Sequence, residues 1–350
     1  MSLVEGTPAP HFTAPSKFNP GFAFGNIAGR YILLAFLPYP GPERDAALAL
    51  VESQRARFND NEKLFFGVLP DRASLEAAIE DPPWRWLLDE AGEVRRLYEA
   101  VDETGELAPC WVVLDPSRRV LGTAPLARGP YVLANFVKFG PADLHAGPPM
   151  HAPVLMAPRI LEPSICRQLI EVYRQDGGEP SGVMRARNGK TYAALDDFKM
   201  RRDAVIEDEA LLREVRARIR LRLLPEIEKA FGFTVTRIER YIVACYSANE
   251  GGYFRPHRDN TTPGTAHRKF ACSINLNAEE FEGGDLCFPE YGLRTYRPPT
   301  GGAVVFSCSL LHEATPVTKG VRYATLPFLF DEDGERIRQA NLESFETAES

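Results

Sequence analysis

Four residues in this chain have the types and spacing to do metal chemistry. His257 and Asp259 lie two apart in PHRDN, His312 lies in SLLHEATPV, and Arg322 follows ten residues later. Two imidazoles and one carboxylate suit a non-haem Fe(II) ion, because they occupy one face of an octahedron and leave the other positions open. In an extended segment a spacing of two puts His257 and Asp259 on one face, where they can share a metal. Arg322 opens RYATLPFLF, in which Arg322, Ala324, Leu326 and Phe328 share a face. A charge among inward apolar residues needs a partner, since burying it alone is expensive. A guanidinium fork is the natural partner of a carboxylate, so a co-substrate acid would satisfy it. A lone His-x-Asp is weak evidence, and an isolated inward arginine usually finds an internal Asp or Glu. The order and spacing of the four together carry the reading.

The elements that must position these residues differ between the two halves of the chain. In the N-terminal half, 31–37, 64–69, 110–115 and 118–122 read as strands, and 43–58, 72–80 and 93–99 as helices. Strands separated by helices predict an α/β layer with a partly parallel sheet. In the C-terminal half, 163–175 reads as an amphipathic helix, and 208–231 has the strongest helical period, through Leu212, Val215, Ile219, Leu223, Ile227 and Phe231. Short strands follow at 237–246, 270–276, 285–288, 294–297, 303–308, 311–317 and 321–330. Many short strands punctuated by Gly and Pro predict a jelly roll braced by the two helices, and so an α+β chain overall. Residues 141–158, rich in Pro, Gly and Ala, read as a linker between a domain at 1–140 and one at 159–331. Residues 332–350 read as a loose acidic tail. Residues 181–203, polar and basic at both ends, read as a solvated connector, with a mobile flap as the alternative.

Composition narrows the function further. The 350 residues are 44% hydrophobic and 25% charged, ordinary for a globular protein. A net charge of -7 gives no electrostatic case for nucleic acid as a partner. No apolar run is long enough to span a bilayer, so no membrane partner is expected. The start, MSLVEGTPAPHF, lacks a basic region followed by an apolar core, so no secretory leader is expected. The six cysteines are scattered and mostly in apolar surroundings, which predicts reduced thiols and a cytoplasmic location.

The stretch YIVACYSANEGGYFRPHRDN (241–260) resembles the iron-binding strand of the prolyl 4-hydroxylase-like branch of the 2-oxoglutarate/Fe(II) oxygenases, which includes the hypoxia-sensing prolyl hydroxylases. The likeness continues through CSINLN (272–277), EGGDLCFPE (282–290), PPTGGAVVF (298–306), LLHEATPV (310–317) and GVRYATLPFLFD (320–331). It implies a double-stranded β-helix in which His257, Asp259 and His312 bind Fe(II) and carry the catalysis. It implies that Arg322 holds the distal carboxylate of 2-oxoglutarate, with Tyr246 lining the co-substrate pocket. Asn275 stands where the hypoxia-sensing enzymes have a tyrosine that assists the arginine. Tyr253 and Arg268 are the candidates for contact with substrate. The implied activity is a dioxygenase using O2, with room for ascorbate, that hydroxylates a prolyl-like protein side chain or a small molecule and releases succinate and CO2. Related halogenases lack the carboxylate so that a halide can bind, so Asp259 favours hydroxylation. The alternative is a non-catalytic binding or scaffolding protein that retains the metal site.

GTPAPHF near the start, GRYILLAFLPYP (29–40) and APCWVVLDPSRRVLG (108–122) resemble a peroxiredoxin/thioredoxin-like domain, with Pro109 where that fold often keeps a cis proline. Such enzymes need a low-pKa thiolate near a helix N-terminus. Here PYPGPERDAA (38–47) holds no cysteine, and none occurs before Cys110. The resemblance therefore implies a redox-inactive domain used for packing, substrate docking or formation of a homodimer, and it argues against a thiol peroxidase.

Overall fold

The computed structural model describes residues 3–78, 84–187 and 189–344. These fall into two compact units, one running up to Ala152 and including Pro289–Leu293, the other containing the remainder.

The first unit is built on a five-stranded sheet in the order Trp84–Leu88, Lys63–Leu69, Tyr31–Phe36, Cys110–Leu114, Val120–Pro125. The first two pairings are parallel and the last two antiparallel. Alternation divides each central strand between two cores. Leu33, Ala35, Phe65 and Trp111 pack with Val51, Leu133 and Phe136 from the helices Pro42–Ser53 and Gly129–Phe136. Ile32, Leu34, Phe66 and Val112 pack with Phe24, Val94 and Tyr98 on the opposite face. The tail end of the expected helix at 72–80 lies outside the described residues.

The second unit has two main antiparallel sheets. The larger runs Arg237–Glu239, Phe328–Phe330, Phe270–Asn275, Val317–Thr325, Ile242–Ser247, Arg202–Val205, Glu179–Pro180, and Ala303–Ser307 also pairs with Phe270–Asn275. The smaller runs Lys199–Met200, Tyr253–His257, His312–Ala314, Leu286–Cys287, Thr295–Tyr296. Helices Pro163–Asp176 and 209–231 cover the larger sheet, burying Ile165, Leu169, Val215, Ile219 and Ile227 against Val243, Cys272 and Val305. The second of these helices begins at Asp208, whose carboxylate accepts from the amides of Ala210 (2.8 Å) and Leu211 (3.2 Å). It passes through a π-helical turn at Ile219–Leu223, immediately before Pro225. Proline has no N–H for the ladder and crowds the preceding turn, and the wider turn accommodates both effects.

Several sequence expectations need correction. The strand expected at 237–246 is two strands, broken at Arg240, whose φ of +67° lies in the left-handed region. The strand expected at 321–330 is also two, because Pro327 cannot donate to a ladder. The expected linker ends in a strand, Leu155–Ala157, paired with Ala303–Val305. The expected loose tail opens with a helix, Glu332–Ala340. Its Asp331 cap accepts from the Gly334 amide (2.8 Å), and its acidic first turn suits the helix dipole. The connector at 181–203 contains a hairpin, Val183–Arg187 with Lys190–Ala194, and ends in buried Lys199 and Arg201. Among the described residues no helix is long and apolar enough to cross a membrane.

Candidate metal centre

His257 and His312 face each other across the smaller sheet as register partners in adjacent strands. Asp259 lies just past the end of its strand, with its amide donating to Cys308 O (3.0 Å). Asp259 Oδ1 is 3.5 Å from His257 Nε2, and its Oδ2 is 3.3 Å from His312 Nε2. One potential ligand atom from each of the three residues lies within 4.8 Å of the others. The imidazoles are oriented from behind, since His257 Nδ1 donates to Arg255 O (2.8 Å) and His312 Nδ1 to Leu310 O (3.0 Å). Both Nε2 atoms are left to face the carboxylate, in the tautomer a metal requires. Phe254 stacks on His257 with ring centroids 3.4 Å apart, and Phe306 lies 4.5 Å from His312.

Electrostatics agree with a ligand set. Burial, with His257 beside it, pushes the His312 imidazole down to about 4, so it is neutral near pH 7. Burial alone would raise the Asp259 carboxyl, but His312 and His257 outweigh it and hold the group well below the usual carboxylate range. A neutral imidazole and an ionised carboxylate are the states in which these side chains bind Fe(II).

Arg322 lines the same cavity and is 3% exposed. Its Nε donates to Asn275 Oδ1 (3.3 Å) and its Nη2 to Ser273 Oγ (2.8 Å), while Nη1 is buried with no partner. Burial lowers its pKa. An aligned guanidinium with one unmet donor is a vacant half of a carboxylate clamp, and it fits a bound dicarboxylate. Tyr246 is its register partner on the neighbouring strand, with the Tyr246 ring centroid 5.1 Å from Arg322 Cζ.

The remaining candidates fall elsewhere. Asn275 does not line the cavity; it stands behind Arg322, and its amide donates to Pro298 O (3.0 Å). Tyr253, a candidate for contact with substrate, has its hydroxyl donating to Asp197 O. Arg268, the second such candidate, is held by an ion pair and an aromatic ring. Its Nε donates to Glu239 Oε1 (2.8 Å), and its guanidinium lies 3.9 Å from the Phe328 ring centroid. Glu239 also accepts from His267 Nε2 (3.0 Å).

Burial alone would raise the Glu239 carboxyl, yet His267 and Arg268 draw it down to about 2 from an ordinary 4.5. A folded value below the unfolded one stabilises the protein above pH 4.5, and that contribution disappears as the pH falls toward 2. Glu239→Gln is therefore expected to destabilise the chain by roughly 2 kcal/mol at pH 7 and to flatten the pH dependence below 4.5. Urea unfolding at pH 7, 4.5 and 3 measures this, and parallel pH profiles for the two proteins would refute it.

The cavity contains groups that the sequence did not reveal: Ser273, Phe254, Phe306, Arg201 and Arg240. Lys199 lies nearby, its Nζ donating to Gly182 O (2.6 Å) and sitting 4.9 Å from the Phe254 ring centroid. Burial, then Arg201 and Arg240, push its ammonium down to about 5.

A family model for the 2OG-Fe(II) oxygenase superfamily matches residues 241–330. A PKHD-type hydroxylase from Parvibaculum lavamentivorans is 30% identical over 187 residues, covering 49% of this chain and 75% of that protein. A PKHD-type hydroxylase from Cupriavidus metallidurans is 33% identical over 110 residues, covering 28% of this chain and 48% of that protein. The chain thus spans about half the length of that relative and of a second one from Paraburkholderia xenovorans. Among solved structures, a prolyl hydroxylase from Trichoplax adhaerens, in complex with a hypoxia inducible factor oxygen degradation domain peptide fragment, matches at 18% identity and a TM-score of 0.39. The match covers 56% of this chain and 89% of that one, a likeness too slight to carry an argument.

Proposed function

This chain belongs to the 2OG-Fe(II) oxygenase superfamily, and from that premise we propose that it is an Fe(II)- and 2-oxoglutarate-dependent hydroxylase of a prolyl-like protein side chain or a small molecule. The observation that carries the reading is the unpaired, buried Nη1 of Arg322 in the cavity that also holds His257, Asp259 and His312.

The two Nε2 atoms and one Asp259 oxygen would hold the metal. Arg322, steadied by Ser273 and Asn275, would hold the distal carboxylate of 2-oxoglutarate, with the Tyr246 ring against its guanidinium. Bound together, Fe(II), 2-oxoglutarate and O2 supply an oxidation in which the oxo acid leaves as succinate and CO2 and one oxygen atom enters a substrate C–H bond. Asp259 would serve as the carboxylate ligand that related halogenases lack, which favours hydroxylation. Phe254 and Phe306, which pack on the two imidazoles, form with Leu326 an apolar part of the cavity wall.

Coupled assays test the proposal. Fe(II)-loaded protein is expected to take up O2 and release succinate in step when given its substrate. Binding of 2-oxoglutarate without coupled succinate, across a broad screen of peptides and metabolites, would favour the scaffolding reading instead.

The first unit fits a thioredoxin-like reading through its mixed sheet with helices packed on it. Its one thiol, Cys110, is pushed up to about 12 by burial, the opposite of an activated nucleophile. We read this unit as redox-inactive, serving in packing, docking or homodimer formation, and the whole chain as cytoplasmic, with neither nucleic acid nor membrane as a partner. The jelly-roll reading of the second unit rests on its two antiparallel sheets with the metal candidates on the smaller one.

A further inference from the structure

Three guanidinium groups, Arg201, Arg240 and Arg322, line the cavity together with a single carboxylate, Asp259. The proposed reading assigns Arg322 to 2-oxoglutarate and leaves the other two without a role. Both lean on Asp203, which stands behind them. Asp203 Oδ2 accepts from Arg201 Nη2 (2.7 Å), Arg240 Nη2 (3.0 Å) and Ser181 Oγ (2.5 Å), so that oxygen is saturated. Arg201 is 5% exposed, and its other contacts are neutral. Nη1 donates to the Tyr246 hydroxyl (3.3 Å), Nη2 also reaches Ser181 Oγ (2.9 Å), and Nε is buried with no partner. Arg240 lies 5.5 Å from the Phe328 ring centroid, a ring that Arg268 already covers.

Charge leads to the same place. With Fe(II) and 2-oxoglutarate bound, the metal and Arg322 are balanced by Asp259 and the two carboxylates of the oxo acid. Arg201 and Arg240 then share Asp203, and one positive charge is left over; the Arg240 side chain, 26% exposed, can offer it to a ligand. Lys199 enlarges that excess whenever it is protonated. The backbone gives a third indication. Arg240 sits at φ +67°, a conformation that disfavours side chains by about 1 kcal/mol, and there it interrupts the run between Glu239 and Ile242. Its side chain enters the cavity, while Tyr241 packs on the helix-covered core.

We propose that Arg240, with Arg201 beside it, forms a subsite for an anionic group, a carboxylate, on the substrate. The inference rests on the Fe(II)/2-oxoglutarate reading and adds the substrate's charge to it. A small acid and a peptide with an acidic residue offer the same chemistry, so the test has an arm for each.

Protein loaded with turnover-silent Mn(II) and saturated with 2-oxoglutarate is titrated calorimetrically with N-acetyl-L-proline against N-acetyl-L-prolinamide, and with N-acetyl-Pro-Glu-amide against N-acetyl-Pro-Gln-amide. The acid of at least one pair is expected to bind about tenfold more tightly than its neutral partner. Preference in the first pair alone identifies a small acid, and in the second alone an acidic peptide. Arg240→Asn, whose short side chain tolerates the left-handed backbone, is expected to remove the preference without changing the Kd of 2-oxoglutarate. Arg240→Lys should retain part of it. Asp203→Asn, which removes the competing carboxylate, should strengthen acid binding several-fold, a gain that structural damage does not produce. Absence of binding by either acid, equal binding of acid and amide in both pairs, or a preference that survives Arg240→Asn overturns the subsite. Failure of the parent reading shows up separately, as absence of metal-dependent 2-oxoglutarate binding in the first place.

Discussion

Asp259→Ala is expected to abolish succinate release and to weaken metal binding by on the order of 10³-fold, while the chain stays folded. The carboxylate is the only anion of the triad, and it lies between the two imidazoles at 3.5 and 3.3 Å. Without it, two neutral donors must hold a doubly charged ion in a largely buried site. Losing one partner of a buried charge pair costs roughly 3–5 kcal/mol, which is the basis of that factor. The effect on folding is small because the Asp259 amide keeps its bond to Cys308 O whatever the side chain, and because Phe254 and Phe306 pack on the imidazoles rather than on the carboxylate. Titration with Mn(II) and thermal melting of the metal-free protein separate the two effects. His257→Ala should likewise lose turnover and metal, at a larger cost to stability because it also removes the ring on which Phe254 stacks. Wild-type turnover in either variant would remove the metal centre from the account.

Arg322→Met is expected to move affinity and stability in opposite directions. The Kd for 2-oxoglutarate should rise about 100-fold, since truncating one member of a buried charge pair costs 2–5 kcal/mol or so. The ligand-free protein should melt higher, by an amount equivalent to about 1 kcal/mol, because a buried guanidinium with an unmet donor is replaced by an apolar chain of similar length. Arg322→Lys should recover little affinity, since an ammonium cannot engage Asn275 and Ser273 while presenting a fork to the ligand. Calorimetry and melting curves of the same preparations decide the matter. A lower melting temperature for Arg322→Met would mean that the bonds to Ser273 and Asn275 outweigh the penalty of burial.

The parts of the centre that were legible in sequence are those whose chemistry is local. His257 and Asp259 are two residues apart, and Arg322 stands out because a charge opens an otherwise apolar run. The helix at 208–231 was legible because its apolar residues repeat with the helical period, though the π turn before Pro225 was not. What sequence missed depends on pairing between distant strands. Ser273 matters only because the register sets Phe270–Asn275 beside Val317–Thr325, which brings its hydroxyl to Arg322. Arg201 looked solvated because its segment is rich in charge, and its burial depends on Asp203 and Ser181. Arg240 was hidden inside a continuous-looking strand whose break has no glycine to mark it. The helix at Glu332–Ala340 lacks an apolar stripe and is started by its cap and acidic first turn, so a search for periodicity passes over it.

The two Nδ1 hydrogen bonds have a consequence for how the protein ages and fails. Each imidazole is anchored to a carbonyl two residues back, Arg255 on the same strand as His257 and Leu310 in the bend just before the strand of His312, and the two strands pair at those very histidines. The rings are therefore set when the smaller sheet forms, and a metal arriving afterwards has little left to organise. Loading should be fast and nearly rigid, and iron retention becomes a gauge of that sheet's local integrity. Partial opening between Tyr253–His257 and His312–Ala314 would release the ion long before the rest of the molecule unfolds, so in a heated or chemically stressed sample demetallation is the first event to look for.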